Sequence, residues 1–291
     1  MRINWHLAPL LFFISTAVHA QLGITGSMQW DKMDIQAVLS LKLADSNITI
    51  PSGRSRGEAI INSEYLTLIR PAILGIQADS SSALADLVQR GELRMDELDE
   101  LALSARATPP YLSPDLLNLQ ASYRIDLPDL SAALIRHSRP AEIRRTLIPA
   151  PASDYTGIII IASSPLPVHG MKGSASIVPC LFPKIWDTDM NLIFERNMLE
   201  RGQKIMARYA QRSSIFYDSP SGLSPEITPL IGLKPLRIFA CGLFGDTPTD
   251  LIIDAEDVMQ IISSEANRRL LREGRVLIIV DDSALKISFN G

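Results

Sequence analysis

Residues 119–127, LQASYRIDL, alternate without a break: Leu119, Ala121, Tyr123, Ile125 and Leu127 against Gln120, Ser122, Arg124 and Asp126. A side-chain period of two puts the apolar residues on one face, so this stretch must be a strand half-buried in an antiparallel sheet. Residues 157–162, GIIIIA, make the opposite demand. Four consecutive β-branched residues leave no polar face, which suits a central strand covered on both sides. A chain with both signatures needs two kinds of sheet. Between them, RHSRPAEIRRTLIPAPAS collects Arg, Pro and Ala with no sustained period. Segment 136–153 therefore reads as a linker between a unit at 21–135 and a unit at 154–291.

In the first unit, Ile35, Ala37, Leu39, Leu41 and Leu43 alternate as a second half-buried strand. The period then changes to that of a helix, with Ile61, Tyr65, Leu68, Ile69, Ala72 and Ile73 on one side. Ser55 and Glu58 have the spacing of a capping box at its start, and Pro71 predicts a kink or an early end. Two short acidic helices follow, around SALADLVQR and MDELDELALSARA. In the second unit, SASIVPCLFPKIW and LIFE flank DTDMN as a hairpin, and LRIFACGLF pairs with DLIID across GDTPT. The spacing of Leu199, Gly202, Ile205, Met206 and Tyr209 predicts a helix. Another, capped by Asp254, is predicted from Ala255 to about Leu271, with Val258, Ile261, Ile262 and Ala266 inward. Gly274 ends it, and RVLIIVDD is expected as the last buried strand. The fold class expected is α+β: two small domains, each a mixed or antiparallel sheet packed with helices.

The first 20 residues read as a secretory signal peptide. Arg2 precedes an uncharged stretch from Leu7 to Val18, too short to span a bilayer, and cleavage is expected between Ala20 and Gln21. That predicts export, with the periplasm as the compartment and no transmembrane segment in the mature chain. The formal net charge of −4 gives no general attraction to nucleic acid. Cys180 and Cys241 are the two cysteines; in an oxidising compartment they are candidates for a disulfide, although both lie in apolar runs that suit buried thiols.

Familiar chemistry finds no preassembled motif. PSGRSRGE lacks the spacing and the Lys of a phosphate loop. Asp187, Asp189 and Asn191 begin like a calcium loop, but Leu192 stands where the turn glycine belongs and Met198 where the distal Glu belongs. GSAS and SPSGLS do not match a hydrolase elbow. Past the leader only His137 and His169 remain, in no metal-ligand spacing with the cysteines. No catalytic residue, cofactor or metal is expected. The competing reading is a periplasmic small-ligand binder or hydrolase with a cleft near Asp281, Asp282 and His169, which requires the three to converge.

The second unit, with DYTGIIIIA, SIVPCLFPKIWDTDMNLIFE, LERGQKIMARYAQ, LRIFACGLFGDTPTDLIIDAEDVMQII and EGRVLIIVDD, resembles the C-terminal region of exported bacterial proteins of the surface-lipoprotein and flagellar-assembly-protein-T-like superfamily. MQWDKMDIQAVLSLKL and GRSRGEAIINSEYLTLIRPAILGI are similar to the strand and helix that open those proteins. Many such proteins are lipid-anchored through a Cys, where this chain has Gln21. The resemblance implies a non-enzymatic envelope protein with a structural or assembly role, protein partners in the envelope and an association with the flagellar machinery. It carries over no site residues.

Overall fold

The computed structural model describes residues 22–46, 48–146 and 152–291. The expected leader and its cleavage point between Ala20 and Gln21 lie outside them. In chain order, the first half contains β1 (Leu22–Gln29), β2 (Asp34–Lys42), α1 (Arg54–Leu74), β3 (Gln77–Asp79), β4 (Ser82–Ala83), α2 (Leu84–Gln89), α3 (Met95–Leu103), β5 (Arg106–Ala107), β6 (Tyr111–Leu112), β7 (Asn118–Asp126) and α4 (Leu127–Leu134). The second contains β8 (Ile158–Ile161), β9 (Leu166–Pro167), β10 (Ser174–Ala175), β11 (Ile185–Asp187), β12 (Leu192–Phe194), β13 (Arg208–Gln211), α5 (Thr228–Ile231), β14 (Leu236–Phe244), β15 (Asp250–Ile253), α6 (Ala255–Ile262), α7 (Glu265–Arg272), β16 (Val276–Val280) and β17 (Lys286–Asn290).

The fold is α+β. The first sheet is antiparallel, in the order β17-β1-β2-β7-β5 with β6 also on β7; the second is mixed, in the order β12-β11-β15-β14-β8-β16-β13. The alternating segments become β2 and β7, paired in register from Asp34↔Asp126 to Lys42↔Asn118. Their apolar side chains are buried together with Ile61, Tyr65, Ile69 and Ile73 of α1. Tyr65 stacks on Tyr123 with ring centroids 4.0 Å apart. The isoleucine run becomes β8, flanked by β14 and β16 in parallel.

Several expectations fail locally. Ser55 does not cap α1: the helix already starts at Arg54, which pairs with Glu58 at 3.0 Å. Pro71 sits in the last turn of α1, which stops at Leu74. No helix forms at 199–209. Gly202, at φ +89°, breaks the helical path, and residues 208–211 instead take the open edge of β16 as the parallel strand β13. The long C-terminal helix is two helices, α6 and α7, separated at Ser263–Ser264; the break turns Ala266 outward and buries Asn267 and Arg268. Arg268 is accommodated by the Ile262 carbonyl and Glu265.

The last buried strand of the second unit is not the last strand of the chain. After β16, residues 286–290 leave the second sheet and add to β1 as β17. Gly26 explains the register. A Cβ there would lie 2.4 Å from the Phe289 ring and 2.5 Å from the Gln36 carbonyl oxygen, so the bare glycine lets Phe289 lie flat against β1.

The two halves also share one core. A continuous cluster of buried apolar residues runs from Ile24 in β1 to Leu285 before β17. Trp30, fully buried, meets the ring of Tyr209 edge-on at 5.5 Å. Backbone bonds add to this: Leu181 and Phe182 N–H groups donate to the Gln77 and Ala78 carbonyls at 3.1 and 2.9 Å. The described part of the linker is held too. Ile143 is buried, the Ala141 N–H donates to the Asn197 carbonyl at 2.7 Å, and His137 Nε2 lies 2.8 Å from the Leu199 carbonyl oxygen.

Candidate functional site

The residues singled out for a catalytic cleft do not converge. The exposed ring of His169, on the loop after β9, meets Phe244 edge-on with centroids 6.0 Å apart. Asp281 and Asp282 are exposed beyond β16. The Asp281 carboxylate accepts from the Ser283 backbone N–H at 3.0 Å and its hydroxyl at 2.5 Å, which holds its pKa below the usual carboxylate value. It caps the turn that launches β17. Among the described residues no hydrogen bond or ion pair joins His169 to either aspartate.

Cys180 and Cys241 are both free, so the candidate disulfide is not formed. Cys180 is buried in the segment before β11, where its backbone exchanges hydrogen bonds with the Tyr209 hydroxyl: N–H to Oη at 3.0 Å, Oη–H to C=O at 2.9 Å. Cys241 is half-buried on β14, with Sγ 3.4 Å from the Ile252 carbonyl oxygen. Burial raises the pKa of both thiols. At neutral pH both are thus expected to be poor nucleophiles. Ellman titration of the native protein should label Cys241 slowly and Cys180 only after unfolding; rapid labelling of both would contradict this arrangement.

Asp187, in the segment whose calcium-loop spacing fails, closes the turn of the expected β11–β12 hairpin. Its carboxylate accepts from the backbone N–H groups of Asp189 and Asn191 at 3.0 and 2.7 Å and from Asn191 Nδ2 at 2.8 Å. Among the described residues no group of three or more His, Cys, Asp or Glu side chains is placed to hold a metal ion.

The most demanding polar group is Asp250, the first residue of β15, fully buried. Its carboxylate accepts four hydrogen bonds: from Ser80 Oγ at 3.0 Å, Trp186 Nε1 at 3.1 Å, Thr249 Oγ1 at 3.1 Å and the Lys184 backbone N–H at 3.2 Å. Desolvation outweighs these donors and raises its pKa. Ser80 belongs to the first half, and its carbonyl accepts from the Thr247 N–H at 3.0 Å. Asp250 therefore ties the β3–β4 turn to the second sheet.

A cleft of about 650 Å³ lies between the halves. Asp31 and Lys32 from the β1–β2 turn face Arg208 and Gln211 of β13 and Glu226 and Leu230 near α5. Arg208 is half-buried, and loss of water lowers its pKa. Sequence reasoning missed Arg208 because it placed 199–209 on a helix, where an Arg between Ala207 and Tyr209 reads as surface; its pairing with Leu277 is a long-range fact.

No helix among the described residues is long and apolar enough to cross a membrane. A comparison with curated proteins finds no match. Two family models do match: residues 21–133 are similar to the family described as Treponema pallidum Tp0624, N-terminal domain, and residues 157–282 to Treponema pallidum Tp0624, second domain. The chain thus carries regions similar to two domains of one spirochaete protein, in the same order and on either side of the linker segment.

Proposed function

We propose that this chain is an exported, non-enzymatic protein of the bacterial cell envelope, resident in the periplasm, that serves as a structural or assembly component for other proteins. The flagellar machinery is the assembly that its resemblance to flagellar-assembly-protein-T-like chains suggests. The observation that carries the reading is a set of three exposed aromatic side chains on β14 and on the loop that bonds to it. Phe239 of β14 is 69% exposed, and Phe216 and Tyr217 are 62% and 50% exposed. Arg237, two residues before Phe239, donates to the Ile215 and Ser221 carbonyls at 3.3 and 3.2 Å, which draws the loop of Phe216 and Tyr217 toward that strand. Large aromatics left exposed are costly in water and are enriched at contact surfaces. The buried carboxylate, by contrast, is used to join the halves.

The test combines location with contact. A photo-crosslinking amino acid at position 239 should capture a defined envelope partner in cells that build flagella, and the F216S/F239S protein should fold normally but lose that partner. Cells lacking the gene should show impaired motility or envelope integrity. Retention of the tagged protein in the cytosol, or intact motility and envelope in the deletion strain, would sink the reading.

A further inference from the structure

We propose that the cleft between the β1–β2 turn and β13 binds a small organic monoanion, a carboxylate with an apolar body, through the guanidinium of Arg208. The outer face of the second sheet contains an internal comparison. Register places Arg237, Ile159, Leu277 and Arg208 side by side across β14, β8, β16 and β13. The two arginines thus close the ends of one apolar row. Arg237 is satisfied by the two carbonyls of the Ile215 and Ser221 loop. The Arg208 guanidinium has no hydrogen bond or ion pair among the described residues, and Arg208 lines the cleft.

A guanidinium that has lost water without gaining an acceptor is an energetic cost to the folded chain. A carboxylate arriving in the cleft supplies the missing acceptor in the planar, two-pronged geometry that Arg prefers. Leu230 and Leu277 line the same space, so part of the ligand's body would rest on apolar wall. The size is that of a small-molecule site. Asp31 and Glu226 also line the cleft, neither paired with Arg208 in an ion pair among the described residues, and the two acids together with Lys32 and Arg208 sum to no net charge. That balance disfavours a polyanion, and a monocarboxylate is favoured only through its direct pairing with the Arg208 guanidinium. The site is independent of the exposed aromatic side chains proposed above as a contact surface.

The probe is 3-phenylpropionate, titrated calorimetrically into the full chain, with 3-phenylpropanol and inorganic phosphate as comparisons. Saturable binding of the acid is expected, with the alcohol and phosphate at least about tenfold weaker. Arg208→Met should weaken the acid by about tenfold or more, Arg208→Lys by less, and Arg237→Met should lower the melting temperature without changing affinity. Without ligand, Arg208→Met should melt no lower than the parent, because it removes an unpaired charge. The proposal is overturned if the acid does not bind, if Arg208→Met binds it as the parent does, if phosphate binds as tightly, or if ligand-free Arg208→Met is clearly destabilised.

Discussion

Replacing Asp250 with alanine is expected to cost about 3–5 kcal/mol of folding stability, the range seen when one partner is removed from a buried charged network. Ser80 Oγ, Trp186 Nε1, Thr249 Oγ1 and the Lys184 N–H would all lose their acceptor in a place water does not reach. Asp250→Asn keeps one acceptor oxygen and should lose about half as much. Urea unfolding of the three proteins gives the comparison; an Asp250→Ala protein as stable as the parent would remove Asp250 from the tie between the halves.

The same carboxyl predicts a pH dependence. Its pKa in the folded chain is raised above the unfolded value of about 3.9. The folded state therefore holds this proton where the unfolded state has released it, so the contribution of this group is greatest below pH about 3.9 and is lost as pH rises through the raised value. Asp250→Asn should abolish that component. Unfolding midpoints measured across the acid range, parent against variant, would show the difference narrowing as pH rises; a difference that widens would have the wrong sign.

Trp30→Ala is expected to cost a further class of energy, about 3–5 kcal/mol, from lost burial and an unfilled cavity. Trp30 is fully buried and lies against Tyr209 of the other half, yet its indole Nε1 has no partner among the described residues. Trp30→Phe removes that unpaired donor while keeping most of the apolar contact, and so should lose much less than alanine. Because the apolar cluster is continuous through both halves, calorimetry should give one cooperative transition for the parent and for both variants, displaced in temperature. Two separated transitions in the parent would mean that the halves fold as independent units.

The comparison of sequence with structure separates local signals from distant ones. Strict alternation at 35–41 and 119–125 was sufficient for β2 and β7, because one face of each is buried and a slip of one residue would invert it. The isoleucine run likewise demanded a central strand, which β8 is. Residues 199–209 were illegible because their apolar spacing fits a helix, while the free edge of β16 that captured 208–211 lies some 70 residues later in the chain. The short alternation of Ile287 and Phe289 gave too little pattern to assign a sheet, and its partner, the bare backbone of Gly26, is at the other end of the sequence. Arg208 was hidden for the same reason as β13. Asp250 was legible as the first residue of the DLIID strand, but no sequence pattern announces that Ser80 will reach it.

The placement of β17 has a consequence for biogenesis. Five residues near the end of the chain complete the border of a sheet whose other strands are all made before Leu127. A polypeptide emerging from its amino end, whether from a ribosome or a translocation pore, must hold that border of β1 unsatisfied until the rest has passed through. During that interval the bare edge is open to wrong pairing, so a holding chaperone would have most to offer this protein before its final segment arrives.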